Sequence, residues 1–131
     1  MKPSRGFTLL ELMIAVVIIG LGLLAMLLAN THIQRTGEAA YERVVATQDA
    51  HRVIEGMRNA STNGSFPANV IVSYPQGAAV PGFANLAGEQ VVVTYQNVAS
   101  DPLDVTVTTN WLELGRRNTL VRLRTLMTKR N

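Results

Sequence analysis

An uncharged apolar run near the start of the chain limits most strongly what this sequence can fold into. From Leu12 to Ala29, 18 consecutive residues carry no charged side chain. A helix over residues 7–29 would be roughly 34 Å long, enough to cross the ~30 Å hydrocarbon core of a bilayer. Lys2 and Arg5 precede the run, and the positive-inside rule places them in the cytoplasm and the rest of the chain outside. The sequence therefore predicts one membrane-spanning helix.

The remaining residues, 30–131, are enough for one modest domain. Of the twelve basic residues, two lie in the leader, which leaves ten basic against nine acidic residues. That balance is too even for a typical nucleic-acid-binding domain. The chain has no cysteine, which excludes a disulfide scaffold and a thiolate metal site.

An ordinary secretory signal peptide does not fit the N-terminal segment. Such a peptide has an apolar core of about 7–15 residues followed by small residues at the cleavage site. Here the apolar run is longer, and residues 30–33 form no Ala-x-Ala site. Instead, the basic leader ends in Gly6, on the other side of the apolar run.

Glu11 is the informative residue of this segment. A carboxylate costs about 2.5–3.5 kcal/mol at the centre of a membrane helix and less near its end, so a charge inside an apolar span indicates a function. If the chain is cut between Gly6 and Phe7, the new amine and Glu11 lie within one helical turn. The alternative is that Glu11 marks the membrane edge and its carboxylate reaches the interface.

The segment Gly6-Phe7-Thr8-Leu9-Leu10-Glu11 and the run after it resemble the class III signal of type IV prepilins and type II secretion pseudopilins. The resemblance implies that a prepilin peptidase cuts after Gly6, where its site tolerates little bulk, and methylates the amine of Phe7. It also implies that Glu11 pairs with the Phe7 amine of a neighbouring subunit and sets its register. Such a pairing is physically sensible, because two groups that are costly in lipid alone become tolerable together.

Beyond the apolar run, the pattern remains helical to about residue 59. No proline occurs between Pro3 and Pro67, and Gly37 is predicted to be a bend or a short break. The interspersed charged residues, which include Glu42 and Asp49, are predicted to be solvated. Apolar side chains recur on one helix face at Ala46, Ala50, Val53 and Met57, widened by Tyr41, Val44, Val45 and Ile54.

Short strands are predicted after the turn region 59–67, over residues 70–74, 89–96, 104–111 and 119–128. Residues 104–111 alternate cleanly between polar and apolar, and Trp111 is predicted to lie in the core. The predicted fold class is α+β: a long N-terminal helix whose amphipathic half packs on a small antiparallel sheet of three or four strands. This prediction agrees with the pilin fold that the N-terminus implies.

We find no constellation of catalytic residues, so no enzymatic activity, cofactor or metal is expected. His32 and His51 are interpreted as surface or membrane-boundary residues. Asp101 and Asp104 could contact a calcium ion, but two carboxylates three residues apart favour a turn.

The C-terminal sixteen residues contain six basic residues and no acid. A cationic stripe could contact the phosphates of DNA. Alternation of arginine with an apolar face is also typical of a solvated edge strand, which is the favoured interpretation, so nucleic acid is not an expected partner. The six are Arg116, Arg117, Arg122, Arg124, Lys129 and Arg130.

Two departures from major pilins favour a minor, low-copy subunit or a pseudopilin over a main filament subunit. The chain lacks the helix-breaking proline near the apolar run and the C-terminal disulfide that many major pilins have. Its last hairpin also resembles the ending of minor pilins called type IV pilus modification proteins. The resemblance then implies a cytoplasmic leader (1–6) that is removed, a transmembrane and filament-core helix (7–29) and a periplasmic domain (30–131) anchored in the bacterial inner membrane.

The implied partners are other minor and major pilins or pseudopilins, the prepilin peptidase, the inner-membrane assembly platform and membrane lipid. Three alternatives stay open: a minor pseudopilin of a type II secretion system, a tip-exposed adhesin or DNA-binding module, and a single-span protein with an uncleaved anchor.

Overall fold

The structure, a computed structural model, describes residues 8–62 and 65–129. Helix α1 (Leu9–Ala60) is followed by a short helix α2 (Ala68–Ser73) and by the strands β1 (Gln90–Tyr95), β2 (Leu103–Glu113) and β3 (Arg117–Met127). The chain divides into two compact units, Met1–Gly37 and Glu38–Asn131, and α1 contributes residues to both. The predicted α+β class, a long N-terminal helix with an antiparallel sheet, is confirmed.

The first unit is the apolar part of α1. By length and composition this helix could cross a membrane, and none of its most apolar 18-residue window is buried. Gly20 and Gly22 have open space where a Cβ would stand, so no contact within the described chain requires them. The predicted break at Gly37 does not occur, because α1 remains helical through this residue.

The second unit contains a three-stranded antiparallel sheet in the order β1-β2-β3. Strands β2 and β3 pair without interruption from Leu103↔Met127 to Glu113↔Arg117. Every second residue of β2 is buried, including Trp111, as the alternation predicts. The three strands lie close to the predicted residues 89–96, 104–111 and 119–128.

One face of α1 covers the inner face of this sheet. Ala46, Ala50, Val53 and Met57 are buried, as predicted, and Ile54 joins them. Tyr41 and Val44 were expected to widen this face, but both are exposed. At 100° per residue these two side chains fall on the opposite side of the helix, so this part of the prediction is wrong.

The strand predicted over residues 70–74 is also wrong, because these residues lie mostly in α2. The edge of β1 that could pair with them is occupied by the loop before it: the Gly77 N–H donates to the Val93 carbonyl (2.9 Å), and the Val80 N–H donates to the Val91 carbonyl (2.8 Å). β-branched residues favour a strand only where a neighbouring strand exists. The helical turn instead places Val70 in the core.

Helix α2 and the residue after it are fixed on the end of α1. The Asn69 side-chain amide donates to the Ala60 carbonyl, which has no partner within α1. The Tyr74 hydroxyl lies close to the place where a Cβ on Gly56 would stand, so a larger residue at this position of α1 would force the tyrosine side chain to move. The Tyr95 hydroxyl donates to the Tyr74 carbonyl (2.7 Å), and burial raises the pKa of Tyr95 to about 12.

Two adjacent residues of α1 hold the turn between β2 and β3. Glu42 accepts hydrogen bonds from the Trp111 Nε1–H (3.1 Å) and from the Leu114 backbone N–H (3.1 Å). Arg43 forms an ion pair with the nearly buried carboxylate of Glu113 (3.0 Å). Leu114 has φ 52°, a left-handed conformation that leucine rarely adopts, and its bond to Glu42 stabilises it there. Glu42 is therefore not the solvated residue that the charge pattern predicts.

We predict that Glu42→Ala lowers the free energy of unfolding of the second unit by about 2 kcal/mol, because two donors lose their partner. Urea unfolding of the full chain in detergent micelles, followed by circular dichroism, measures this loss. Glu38→Ala, one turn earlier and exposed, is the matched control and should change stability by less than about 0.5 kcal/mol. Equal losses in the two variants would contradict the role of Glu42.

Candidate functional site

The first turn of α1 has a defined cap within the described residues. The hydroxyl oxygen Oγ1 of Thr8 accepts a hydrogen bond from the backbone N–H of Glu11 (3.3 Å). The Thr8 carbonyl also accepts from the N–H groups of Glu11 (3.1 Å) and Leu12 (3.2 Å). Thr8-x-x-Glu11 thus has the sequence of a capping box, and the structure shows the hydroxyl half of it.

This capping role of Thr8 was missed in the sequence reasoning, although its signal is present. A threonine three residues before a glutamate, directly ahead of an apolar run, is a standard mark of a helix start. The cap fixes where α1 begins and therefore where Glu11 stands on it. Glu11 lies in the first turn, where its charge complements the helix dipole.

Glu11 is an exposed carboxylate at the start of an exposed apolar helix. The nearest large apolar side chains, those of Leu9, Leu10 and Leu12, are also exposed. Gly6 and Phe7, the predicted cleavage and methylation positions, lie outside the described residues. Within the described residues, the carboxylate of Glu11 therefore has no hydrogen-bond partner. A cationic group in an apolar environment would be its natural partner.

The other candidate residues are not brought together. His32 and His51 are exposed on α1, as predicted. Asp101 is exposed, whereas Asp104 lies within β2 and not in a turn. No group of three metal-ligating side chains occurs among residues 8–62 and 65–129.

The Asp104 carboxylate binds Arg124, a residue of β3. The Arg124 Nε–H donates to Oδ1 of Asp104 (2.9 Å), and a second bond joins its Nη2 to Oδ2. Nη2 also donates to the side-chain oxygen of Gln96 (3.2 Å). The hydrogen bonds from Arg124 lower the pKa of Asp104. Both aspartate oxygens are thus occupied by the guanidinium, which argues against a calcium ligand here.

The C-terminal basic residues take the places that the alternation predicts. Arg122 and Arg124 are exposed on the outer face of β3, and Leu123 between them faces inward. Arg116 lies in the turn before β3, and Lys129 follows the strand. Arg130 is outside the described residues.

Asp49 was predicted to be solvated, and this prediction is wrong because Asp49 is buried on α1. Its Oδ1 accepts from Arg52 (3.0 Å), and its Oδ2 accepts from the side-chain amide of Asn85 (2.8 Å). At 100° per residue Asp49 falls beside Ala46 and Val53 on the covered face, so the pattern itself contained the signal. The two hydrogen bonds offset the cost of burying the charge.

Glu89 holds the loop that brings Asn85 to Asp49. Its Oε2 accepts from the backbone N–H groups of Asn85 (2.8 Å) and Leu86 (3.1 Å). Its Oε1 is buried with no hydrogen-bond partner in the described part of the chain. Burial raises the pKa of Glu89 despite the two N–H groups, which lower it, and the nearby Asp49 carboxylate raises it further.

We predict that Glu89 makes the second unit less stable as pH rises. Because the folded state raises the pKa of Glu89 above 4.5, its stabilising contribution is complete below pH 4.5 and is lost as pH rises through the folded-state pKa. Glu89→Gln imitates the protonated form and supplies a donor toward Asp49. The variant should be more stable than the wild type by about 1 kcal/mol at pH 7 and equal to it near pH 4.

Urea unfolding at the two pH values measures this difference. Glu55→Gln, an exposed residue of α1, is the control and should leave the pH dependence unchanged. A gain for Glu89→Gln of the same size at both pH values would contradict the titration of Glu89 as its cause.

Comparison with known proteins identifies the N-terminal segment. Residues 1–27 match the family model of the prokaryotic N-terminal methylation motif. No curated protein and no solved structure matches the chain. The match includes Thr8, Glu11 and most of the apolar run. Residues 1–27 therefore carry the prokaryotic N-terminal methylation motif, which is consistent with a type IV pilin or pseudopilin.

Proposed function

We propose that this protein is a minor pilin, a structural subunit of a type IV pilus. It is made as a prepilin, cut between Gly6 and Phe7 by a prepilin peptidase and methylated on the amine of Phe7. It then joins other minor subunits to prime assembly or to occupy the tip of the filament. Its role is structural and not enzymatic.

The observation that carries this proposal is the methylation motif at residues 1–27, continuous with an exposed apolar helix. The amphipathic part of that helix covers an antiparallel sheet in the second unit, an arrangement like that of pilins. The minor role is supported by two sequence features, the absence of cysteine and the absence of proline between Pro3 and Pro67.

In the proposed mechanism, the Thr8 cap and the carboxylate of Glu11 act at the start of α1. Cleavage after Gly6 creates an amine at Phe7, which is a cation within reach of a neighbouring helix. The Glu11 carboxylate of one subunit pairs with the Phe7 amine of the next, and both groups then avoid standing alone in lipid. Because a displaced helix leaves both charges unpaired, this pairing selects one axial position for the incoming subunit.

The proposed location follows from the same segment. Lys2 and Arg5 keep the leader in the cytoplasm, residues 7–29 span the inner membrane, and the second unit lies in the periplasm before assembly. The proposed partners are other pilins, the prepilin peptidase and the assembly platform of the inner membrane.

Intact mass and N-terminal sequencing of the protein from the membranes of its host test the processing step. We expect a chain that begins at Phe7 and carries one added methyl group. In Gly6→Val the added side chain should block cleavage, so that more than about nine-tenths of the protein keeps Met1, because the site excludes bulk beside the cut bond. Gly20→Ala is the matched control, since its Cβ enters open space. A wild-type chain that begins at Met1, in a host with active prepilin peptidase, would contradict the proposal.

Glu11→Ala separates processing from assembly. We expect this variant to be cleaved and methylated normally, but its amount in sheared filaments should fall by about tenfold or more, equivalent to at least ~1.4 kcal/mol of lost pairing. Glu38→Ala, which keeps the first turn intact, should enter filaments at the wild-type level. Normal incorporation of Glu11→Ala would show that Glu11 does not align the subunits.

A further inference from the structure

A cleft crosses the outer face of the sheet, near the turn between β2 and β3. Its volume is about 440 Å³, within the range of roughly 300–1,000 Å³ that is typical of small-molecule sites. All three strands contribute to its lining, with Gln90 from β1, Asn110 and Leu112 from β2, and Asn118 and Leu120 from β3. The cleft lies within the second unit and has no part in the methylation motif at residues 1–27.

The strand register puts these five side chains on one face of the sheet. Asn110 pairs with Gln90 on one side and with Leu120 on the other, so the three form a row across the sheet. Leu112 pairs with Asn118 in the next row. Directly opposite side chains have Cβ atoms about 4.5–5.5 Å apart, and diagonal neighbours are about 7–8 Å apart. The amide of Asn110 thus lies between those of Gln90 and Asn118, and one small ligand can reach all three.

The three amide side chains of the cleft have no hydrogen-bond partner in the described part of the chain. Gln90 and Asn118 are exposed, whereas Asn110 is half-buried on the central strand. Each amide carries two N–H donors and an oxygen that accepts. Donors and acceptors therefore stand side by side along the cleft. A ligand that suits them has several adjacent groups that both donate and accept.

The lining argues against two other classes of ligand. No charged side chain is among the described residues that line the cleft, so an ion bound there would lose hydration without gaining a counter-charge. The exposed Arg122 lies outside the lining, in the row where it pairs with Thr108. An extended peptide would need free backbone groups, but the central strand β2 is paired on both sides. A neutral ligand that side chains alone recognise fits the cleft best.

Saccharides meet these requirements. Each hydroxyl group of a sugar both donates and accepts hydrogen bonds, as an amide group does, and the C–H groups of the ring form an apolar face. Leu112 and Leu120 supply a matching apolar surface beside the amides, and Leu120 is 49% exposed.

We propose that this cleft binds a neutral saccharide. Its hydroxyl groups pair with the amides of Gln90, Asn110 and Asn118, while its ring lies against the two leucines. The proposal does not depend on the minor-pilin assignment, because it uses only the second unit.

NMR titration of the full chain with sugars tests this proposal. The chain is held in dodecylphosphocholine micelles, because a detergent with a sugar head group would compete for the cleft. The panel contains glucose, galactose, mannose and N-acetylglucosamine together with their neutral disaccharides. We expect at least one of them to shift the side-chain amide signals of Gln90, Asn110 and Asn118 in a saturable way. The dissociation constant should be on the order of 1 mM, since an open cleft leaves much of the sugar in water.

Substitution of one amide distinguishes recognition in the cleft from weak contact elsewhere. Gln90→Leu removes one set of hydrogen bonds and should raise the dissociation constant about five- to tenfold. Gln48→Leu makes the same change at an exposed position of α1, outside the cleft, and should leave binding unchanged. Arg122→Gln should also leave it unchanged, because a neutral sugar has no charge that the guanidinium can pair with.

Three results would overturn the proposal. The first is the absence of a saturable shift at the three amides with every sugar of the panel. The second is equal weakening by Gln90→Leu and Gln48→Leu, which would show that binding does not use the cleft. The third is binding of galacturonate, the acidic analogue of galactose, where galactose itself does not bind. That result would assign the surface to an ion pair with Arg122.

Discussion

The second unit depends on the burial of one face of α1 against the inner face of the sheet. A three-stranded sheet that is apolar on one face needs a covering layer to be stable in water. The covering layer is formed by side chains of α1 that are almost fully buried: Ala46, Ala50, Val53 and Met57. One continuous helix therefore contains both the exposed apolar run (12–29) and the residues that cover the core of the second unit.

Apolar burial is not directional, so the placement of the loops requires polar contacts. Glu42 and Arg43 fix the turn between β2 and β3, and Asp49 fixes the loop before β1 through Asn85. All three side chains belong to α1, at the border of its covered face. The helix thus supplies both the apolar surface that the sheet covers and the charged groups that set the sheet's position on it.

Much of this architecture was predictable, because periodicity alone distinguishes a covered face from a solvated one. The spacing of Ala46, Ala50, Val53 and Met57 predicted the helix face, and the alternation around Trp111 predicted the strand. The first-turn position of Glu11 and its motif were equally readable. The burial of Asp49 was readable from the same periodicity, but the contacts of Glu42 and Arg43 were not, since they depend on the turn that reaches these side chains. Residues 70–74 have strand propensity but form mostly helix, because the loop before β1 already occupies the edge of β1 with which they could pair. Tertiary context of this kind is not visible in the sequence.

The position of Glu42 on α1 has a mechanical consequence. Glu42 and Arg43 are the first residues of the described helix, counted from its start, to hydrogen-bond a strand or its turn. Tension that reaches the second unit along α1 therefore loads these bonds before it loads the apolar core. Trp111, the single tryptophan of the chain, donates to Glu42 at this point, so breaking that bond would change the surroundings of the only indole.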